Sequence, residues 1–373
     1  RRLAWLALLG FTLIACSPTP TPCSTGCSAM EATPCVTPTP AAGPPVVAMD
    51  LSPDGSHLAI LTTQELFVYQ VDADTFRELW HTSVAGHLMD VAFSSDERLL
   101  VSKTTRSSGF ESIAFVWNVN TGEIEHTWGY DLQVLDTVCV AINPDGTVLA
   151  LRQGLLSDVV LWDIQAESEL RMITYGDEVN ELGGVFVNFL PPCAVAWPPD
   201  GEKLAFVTPD RRVGRVIVWN LVEDRAVHVL AEHNKSWVMN LAFSPDGKKL
   251  ATRTSRGTVI LWDLTAGEPL FTLQGRGGSG GGLVWSPDGT KVASGWGDGT
   301  ATLWDVETGE QLGTLQDSVV LCDAYADDTR GVSWSAEGTE LFVGTPGGVV
   351  IWDVETGERL RLFAPGEAEP AVP

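Results

Sequence analysis

Trp237, Arg256, Arg276 and Trp296 place two indoles and two guanidinium groups in one stretch of a strongly acidic chain. Trp and Arg are typical anchors of binding surfaces. An indole buries a large area, and a guanidinium pairs with a carboxylate or phosphate through two parallel bonds. Arg211, Arg212 and Arg215 add further basic points. This chemistry is recognition rather than turnover. The His residues are His57, His81, His87, His126, His228 and His233, and they are scattered. No set of His, Asp and Glu recurs where a metal would need ligands. No nucleophile elbow or phosphate loop is present. The stretch Gly275 to Gly282 is Gly-rich but is not followed by a helix. The chain is read as a non-enzyme, with no catalytic residue, no metal site and no cofactor.

Cys16 offers a different chemistry. Arg1 and Arg2 precede an apolar run from Leu3 to Ile14, then Ala15 and Cys16. A membrane-spanning helix needs about 20 apolar residues, so this run is too short. A basic start, a short apolar stretch and a small residue before a cut describe a secretory signal. Leu13-Ile14-Ala15-Cys16 also resembles the bacterial lipobox. That resemblance implies cleavage before Cys16 and lipidation of its thiol, hence an extracytoplasmic protein lipid-anchored to a bacterial membrane. Residues 16–45 then form a linker rich in Cys, Pro and Thr. Ser17-Pro18-Thr19-Pro20-Thr21-Pro22 and Thr37-Pro38-Thr39-Pro40 have no apolar period to bury. Such sequence is extended, and at about 3.1 Å per residue it reaches roughly 90 Å. Six further Cys follow, namely Cys23, Cys27, Cys35, Cys139, Cys193 and Cys322. Their connectivity does not follow from sequence.

The formal charge of −25 opposes binding to nucleic acid or anionic lipid. It suits a solvated, soluble surface, and the expected partner is a protein or peptide bound by a monomer.

The elements that must position these residues are written as a repeat. Ser244-Pro245-Asp246-Gly247 is followed by Leu261-Trp262-Asp263. Ser286-Pro287-Asp288-Gly289 is followed by Leu303-Trp304-Asp305. The step from Asp246 to Asp288, and from Trp262 to Trp304, is 42 residues. Turn acids recur at Asp54, Asp96, Asp145, Asp200, Asp246, Asp288 and Glu337. Aromatics recur at Tyr69, Trp117, Trp162, Trp219, Trp262, Trp304 and Trp352. Between them lie short apolar and β-branched runs bounded by turn residues, such as Leu241-Ala242-Phe243, Leu250-Ala251-Thr252 and Val259-Ile260-Leu261. A period near 40–45 with a Trp-Asp ending is the signature of four-stranded blades. The fold class is all-β, a seven-bladed β-propeller of four-stranded antiparallel blades. The domains are a signal at 1–15, the linker at 16–45, the propeller at 46–365 and a tail at 366–373.

Residues 46 to about 363 resemble the WD40 family on these two anchors. Blade 1 departs from the pattern with Tyr69-Gln70, and blade 2 with Ser95-Asp96-Glu97. The resemblance implies hydrogen bonds shared among a His, a Ser or Thr, a tight-turn Asp and the Trp of a blade. Here His87 and His233 keep the His, Asp298 keeps the Asp, and Arg256 stands where blade 5 would carry that Asp. The set is mostly incomplete, so apolar packing is expected to hold the ring.

Loop lengths indicate the working face. From each turn acid to the apolar residue opening the second strand the interval is always 4, as in Asp54 to Leu58 and Glu337 to Leu341. From that residue to the blade's aromatic, the intervals run 11, 17, 13, 15, 12, 12 and 11. Antiparallel connectivity puts the loops joining second to third strands, and those joining blades, on one face. Variable loops on a rigid frame concentrate function. The binding site is therefore expected there, with Trp237 and Trp296 as exposed anchors and Arg256 and Arg276 beside them. The expected function is a membrane-anchored binding scaffold. The alternatives are a propeller hydrolase or lyase with a channel-mouth site, and an envelope-assembly lipoprotein.

Overall fold

A computed structural model describes residues 45–366, apart from 73–74, 84–86, 95–97, 105–109, 133–137, 154–157, 175–193, 209–214, 232, 234–235, 276–280, 297–299, 317–330 and 346. Cys16, Arg276, Asp298 and the greater part of the long insertions lie outside the described residues.

The strands pair four at a time, in chain order, into antiparallel sheets. The sheets span 46–83, 87–132, 138–173, 195–230, 238–274, 283–315 and 332–363, and are called here the first to the seventh. Within each sheet every strand pairs with the next in sequence, so no sheet borrows a strand from elsewhere in the chain. The first strands of successive sheets touch, and the first strand of the last sheet touches that of the first. The fold is a β-propeller of four-stranded antiparallel blades. Among the described residues no helix is long and apolar enough to cross a membrane.

The sequence dictates this layering. Second strands such as His57–Thr62 are buried along their whole length, because neighbouring sheets cover both faces. Fourth strands alternate, as in Glu268–Gln274, because only one side packs inward. The Ser-Pro-Asp-Gly turns close the first hairpins. The Ser244 hydroxyl donates to Asp246 Oδ1 at 2.6 Å, and that carboxylate also accepts the Lys248 amide at 3.1 Å. These bonds, the hydroxyl's first, hold the Asp246 carboxyl below its usual range. Gly247 stands at a φ of 67°, where a side chain would be strained. The Asp of Trp-Asp does the same for the turn between third and fourth strands. Asp263 Oδ1 accepts the Thr265 amide at 2.7 Å, and Asp353 Oδ1 accepts that of Thr356 at 2.7 Å.

The seam between the seventh and first sheets is packed by aromatic rings. Phe363 meets Tyr69 edge-on at 4.8 Å, and Phe76 packs on both Phe363 and Phe342. The Gly366 amide donates to the Tyr69 hydroxyl at 3.1 Å. Tyr69-Gln70, the departure from Trp-Asp, thus gains a role, since its phenol ties the end of the last sheet to the first.

A second seam device recurs on the outer strands. Each fourth strand carries one extra residue opposite the blade's aromatic position, a bulge set between Leu161 and Trp162, Val218 and Trp219, Leu261 and Trp262, and their equivalents. In the first to fifth sheets the residue after the bulge reaches the next sheet's turn. Trp80 Nε1 donates to the Val119 carbonyl at 2.6 Å. Arg171 Nη2 donates to the Leu221 carbonyl at 3.3 Å. His228 Nε2 lies 2.6 Å from the Leu264 carbonyl, so that nitrogen carries the proton. His126 Nδ1 lies 3.3 Å from Glu167, and the Phe271 ring lies against Gly309.

Candidate functional site

The long-loop face is built where second strands turn into third strands. In the fifth sheet the first strand, Val238–Phe243, pairs with the second, Lys249–Thr254. The Ser255 amide donates to the Trp237 carbonyl at 2.8 Å, which extends the pairing by one step. Arg256 follows Ser255 at the tip, and Gly257 closes the turn at a φ of 79°. Trp237, just before the first strand, and Arg256, in the turn after the second, therefore stand at the same end of one sheet. Trp237 is 39% exposed and Arg256 is exposed. Trp237 is the one exposed Trp among the described residues. The other described indoles are buried or half-buried between sheets.

Trp296 is corrected by the structure. It is 4% exposed and belongs to the apolar cluster between the fifth and sixth sheets, with Val259, Leu273 and Leu283. Its amide donates to the Thr300 carbonyl at 2.8 Å, and its ring packs in the seam against the fifth sheet. Its Nε1 donates to Thr302 Oγ1 at 3.1 Å. A Cβ at Gly275 would come within 2.6 Å of the ring, so a side chain there would displace it. Trp296 is a packing residue and not an exposed anchor.

Beneath this end of the seam lies a charge that the sequence reading missed. Arg253 is fully buried and holds its guanidinium carbon 4.7 Å from the Trp296 ring centroid. Its Nη1 donates to Asn240 Oδ1 at 3.3 Å and to the Gly281 carbonyl at 3.4 Å. Burial pushes its pKa down to about 10, so it stays protonated at neutral pH. The available signal was Arg253 standing where the sixth sheet has Gly295, a cation inside a buried strand.

The hydrogen-bonded set implied by the resemblance is present in part in the fifth sheet. Thr252 Oγ1 accepts from Trp262 Nε1 at 3.0 Å and lies 3.0 Å from His233 Nε2. Elsewhere the indole nitrogens of Trp117, Trp162, Trp219 and Trp352 find no hydrogen-bond partner among the described residues. Apolar packing carries those seams, as expected. Among the described residues no group of three or more His, Cys, Asp or Glu is placed to hold a metal ion.

The sheet order defines a β-propeller of four-stranded antiparallel blades. Residues 224–263 and 267–305 match the family described as WD domain, G-beta repeat. The chain is similar to WD repeat-containing protein WDS homolog of Arabidopsis thaliana, 29% identical over 59% of this chain and 38% of that protein. It is similar to Nuclear distribution protein PAC1 of Arthroderma benhamiae, 30% identical over 40% of this chain and 33% of that protein. It is also similar to Protein LST8 homolog of Drosophila melanogaster, 22% identical over 58% of this chain and 64% of that protein. The matched stretches thus span about a third of the first two relatives' length.

Proposed function

We propose that this chain is a seven-bladed propeller that binds a protein partner through its long-loop face, with Trp237 and Arg256 as contact residues. One observation carries the reading. Trp237 leaves 39% of its surface in solvent on that face, while the other described indoles are buried or half-buried. An exposed indole beside a guanidinium suits an apolar side chain neighbouring a carboxylate or phosphate on the partner. Arg276 follows the fourth strand of the same sheet in sequence and is assigned to the same surface. The cycle of contacts among first strands supports closure of the ring by seven blades.

The reading places the propeller outside the cytoplasm. It is held to a membrane by lipid on Cys16, on the strength of Arg1-Arg2, the apolar run and Leu13-Ile14-Ala15-Cys16. The Pro-rich stretch at 17–45 would hold the propeller clear of the membrane and leave the long-loop face free to meet its partner.

The test is crosslinking from within the site. A photoreactive amino acid in place of Arg256 should capture a partner in membranes of the source cell. The same group in place of Thr265, on the short-turn face of the same sheet, should not. Capture from position 265 alone would overturn the reading.

A further inference from the structure

We propose that the outer notch between the sixth and seventh sheets docks an arginine side chain of a partner polypeptide. The position that would carry the sixth sheet's latch is Gly313, and the turn it would cover contains Gly357. This surface is separate from the long-loop face and does not depend on it.

The internal repeat defines the notch. In the first to fifth sheets the residue after the bulge is Trp80, His126, Arg171, His228 and Phe271, and each lies against the next sheet's turn. In the sixth sheet the register passes from Leu303 opposite Gly313 to Trp304 opposite Gln311, so Gly313 holds the equivalent place. A Cβ there would meet nothing within 4 Å. On the seventh sheet's turn, Gly357 stands at a φ of 71°, and a Cβ added there would meet only Leu315 Cδ2, at 3.9 Å. Gly357 is exposed, whereas Gly122, Gly267 and Gly309 are half-buried under their latches. Val354 is likewise half-buried, as is Leu221 under Arg171, while Val119, Ile164, Leu264 and Val306 are buried.

The occupied seams define what fits. Three of the five latches donate an N–H to the carbonyl of the residue after the turn's Asp or Asn, which here is Val354. Electrostatics selects among donors. The turn carries Asp353, Glu355 and Glu358, on a chain of net charge −25. Amide and hydroxyl bonds from Thr356 hold the Asp353 carboxyl below its usual range, so it stays ionised. Arg361 is engaged at the other seam, 5.4 Å from the Phe76 ring. Arg171 shows the geometry, with one guanidinium nitrogen on the Leu221 carbonyl and the other 3.0 Å from Asp224. A partner's arginine would donate to the Val354 carbonyl, lie flat over Gly357 and face Glu355 or Glu358.

The experiment uses the full chain labelled with 15N-glycine and titrated with N-acetyl-argininamide. The Gly313 and Gly357 amide signals should shift saturably. Gly267 and Gly309, covered by His228 and Phe271, should stay still. The neutral analogue N-acetyl-citrullinamide should bind about tenfold more weakly. Gly313→Phe, which fills the notch from within, should abolish the shift at Gly357 while the other glycine signals keep their positions. Glu358→Gln, which leaves the notch open, should weaken binding. Absence of a saturable shift at Gly313 and Gly357, equal binding of the citrulline probe, or an undiminished Gly357 shift in Gly313→Phe would each overturn the proposal.

Discussion

Asp224 holds Arg171 at 3.0 Å from a backbone position with a φ of 53°. That conformation favours glycine, and the equivalent turns use Gly122, Gly267, Gly309 and Gly357. The only non-glycine residues described with positive φ are Glu167 and Asp224. Each faces a latch that can pair with a carboxylate, His126 in one case and Arg171 in the other. Where the latch is a ring lying on the turn, as with Trp80, His228 and Phe271, the turn residue is Gly because a Cβ would strike the ring. Latch and turn residue therefore depend on each other across every one of these seams.

Gly267→Ala should destabilise the protein by at least about 2 kcal/mol. It adds the strain of a left-handed non-glycine residue to a clash with the His228 ring. Asp224→Gly should change stability by less than about 1 kcal/mol, since the relief of strain offsets the loss of an exposed ion pair. Chemical denaturation of both variants checks the contrast. Equal losses would mean that the latch does not read the turn residue.

Thr252→Val should cost about 1–3 kcal/mol. It removes the acceptor of the buried Trp262 N–H and the partner of His233 while keeping the side-chain volume. Ser294→Val in the sixth sheet removes a hydroxyl that donates to the Gly282 carbonyl and, among the described residues, accepts no indole. It should cost less, and thermal unfolding of the two variants gives the comparison.

The blades were legible because two short-range signals repeat, the Ser-Pro-Asp-Gly turn and the Trp-Asp ending. Both act within a few residues, so sequence spacing reports them directly. Trp296 was misplaced because its neighbours Gly295 and Gly297 read as an exposed loop. Whether a tight turn throws its ring outward or back into a seam depends on the next sheet. The latches were missed for the same reason. His228 and Gly267 are far apart in sequence, and only stacking of sheets brings them together. A faint signal was available, since the latch falls 4 residues after its own sheet's turn residue, as in Gly267 to Phe271 and Asp224 to His228.

The first sheet should respond to pH through Asp50. Its Oδ2 accepts the Phe93 amide at 2.9 Å and its Oδ1 the Leu51 amide at 3.0 Å, tying the first two sheets together. Burial outweighs those bonds and, with the nearby charge of Asp90, pushes its pKa up to about 7. A carboxyl raised in the folded state holds its proton where the unfolded chain has lost it. Its favourable contribution is complete below the ordinary value of 3.8 and is lost as pH rises to about 7. The melting temperature of wild type minus that of Asp50→Asn should therefore fall between pH 4 and 7. A difference that is flat across this range would contradict the assignment.

Cys16→Ser, expressed from its own start in a bacterial host, should move the protein from the membrane fraction to the soluble one. Intact mass should show lipid on the wild type only. Unchanged fractionation with no lipid on the wild type would refute anchoring through Cys16.

The central claim is that recognition belongs to Trp237 on the long-loop face, and binding measured beside stability tests it most directly. With the crosslinked partner in hand, Trp237→Ala should weaken affinity by about thirtyfold, equivalent to about 2 kcal/mol, and leave the melting temperature nearly unchanged. Trp296→Ala should do the reverse, costing about 3–5 kcal/mol of stability as a buried indole. Unaltered affinity in Trp237→Ala, or a loss of stability matching that of Trp296→Ala, would contradict the account.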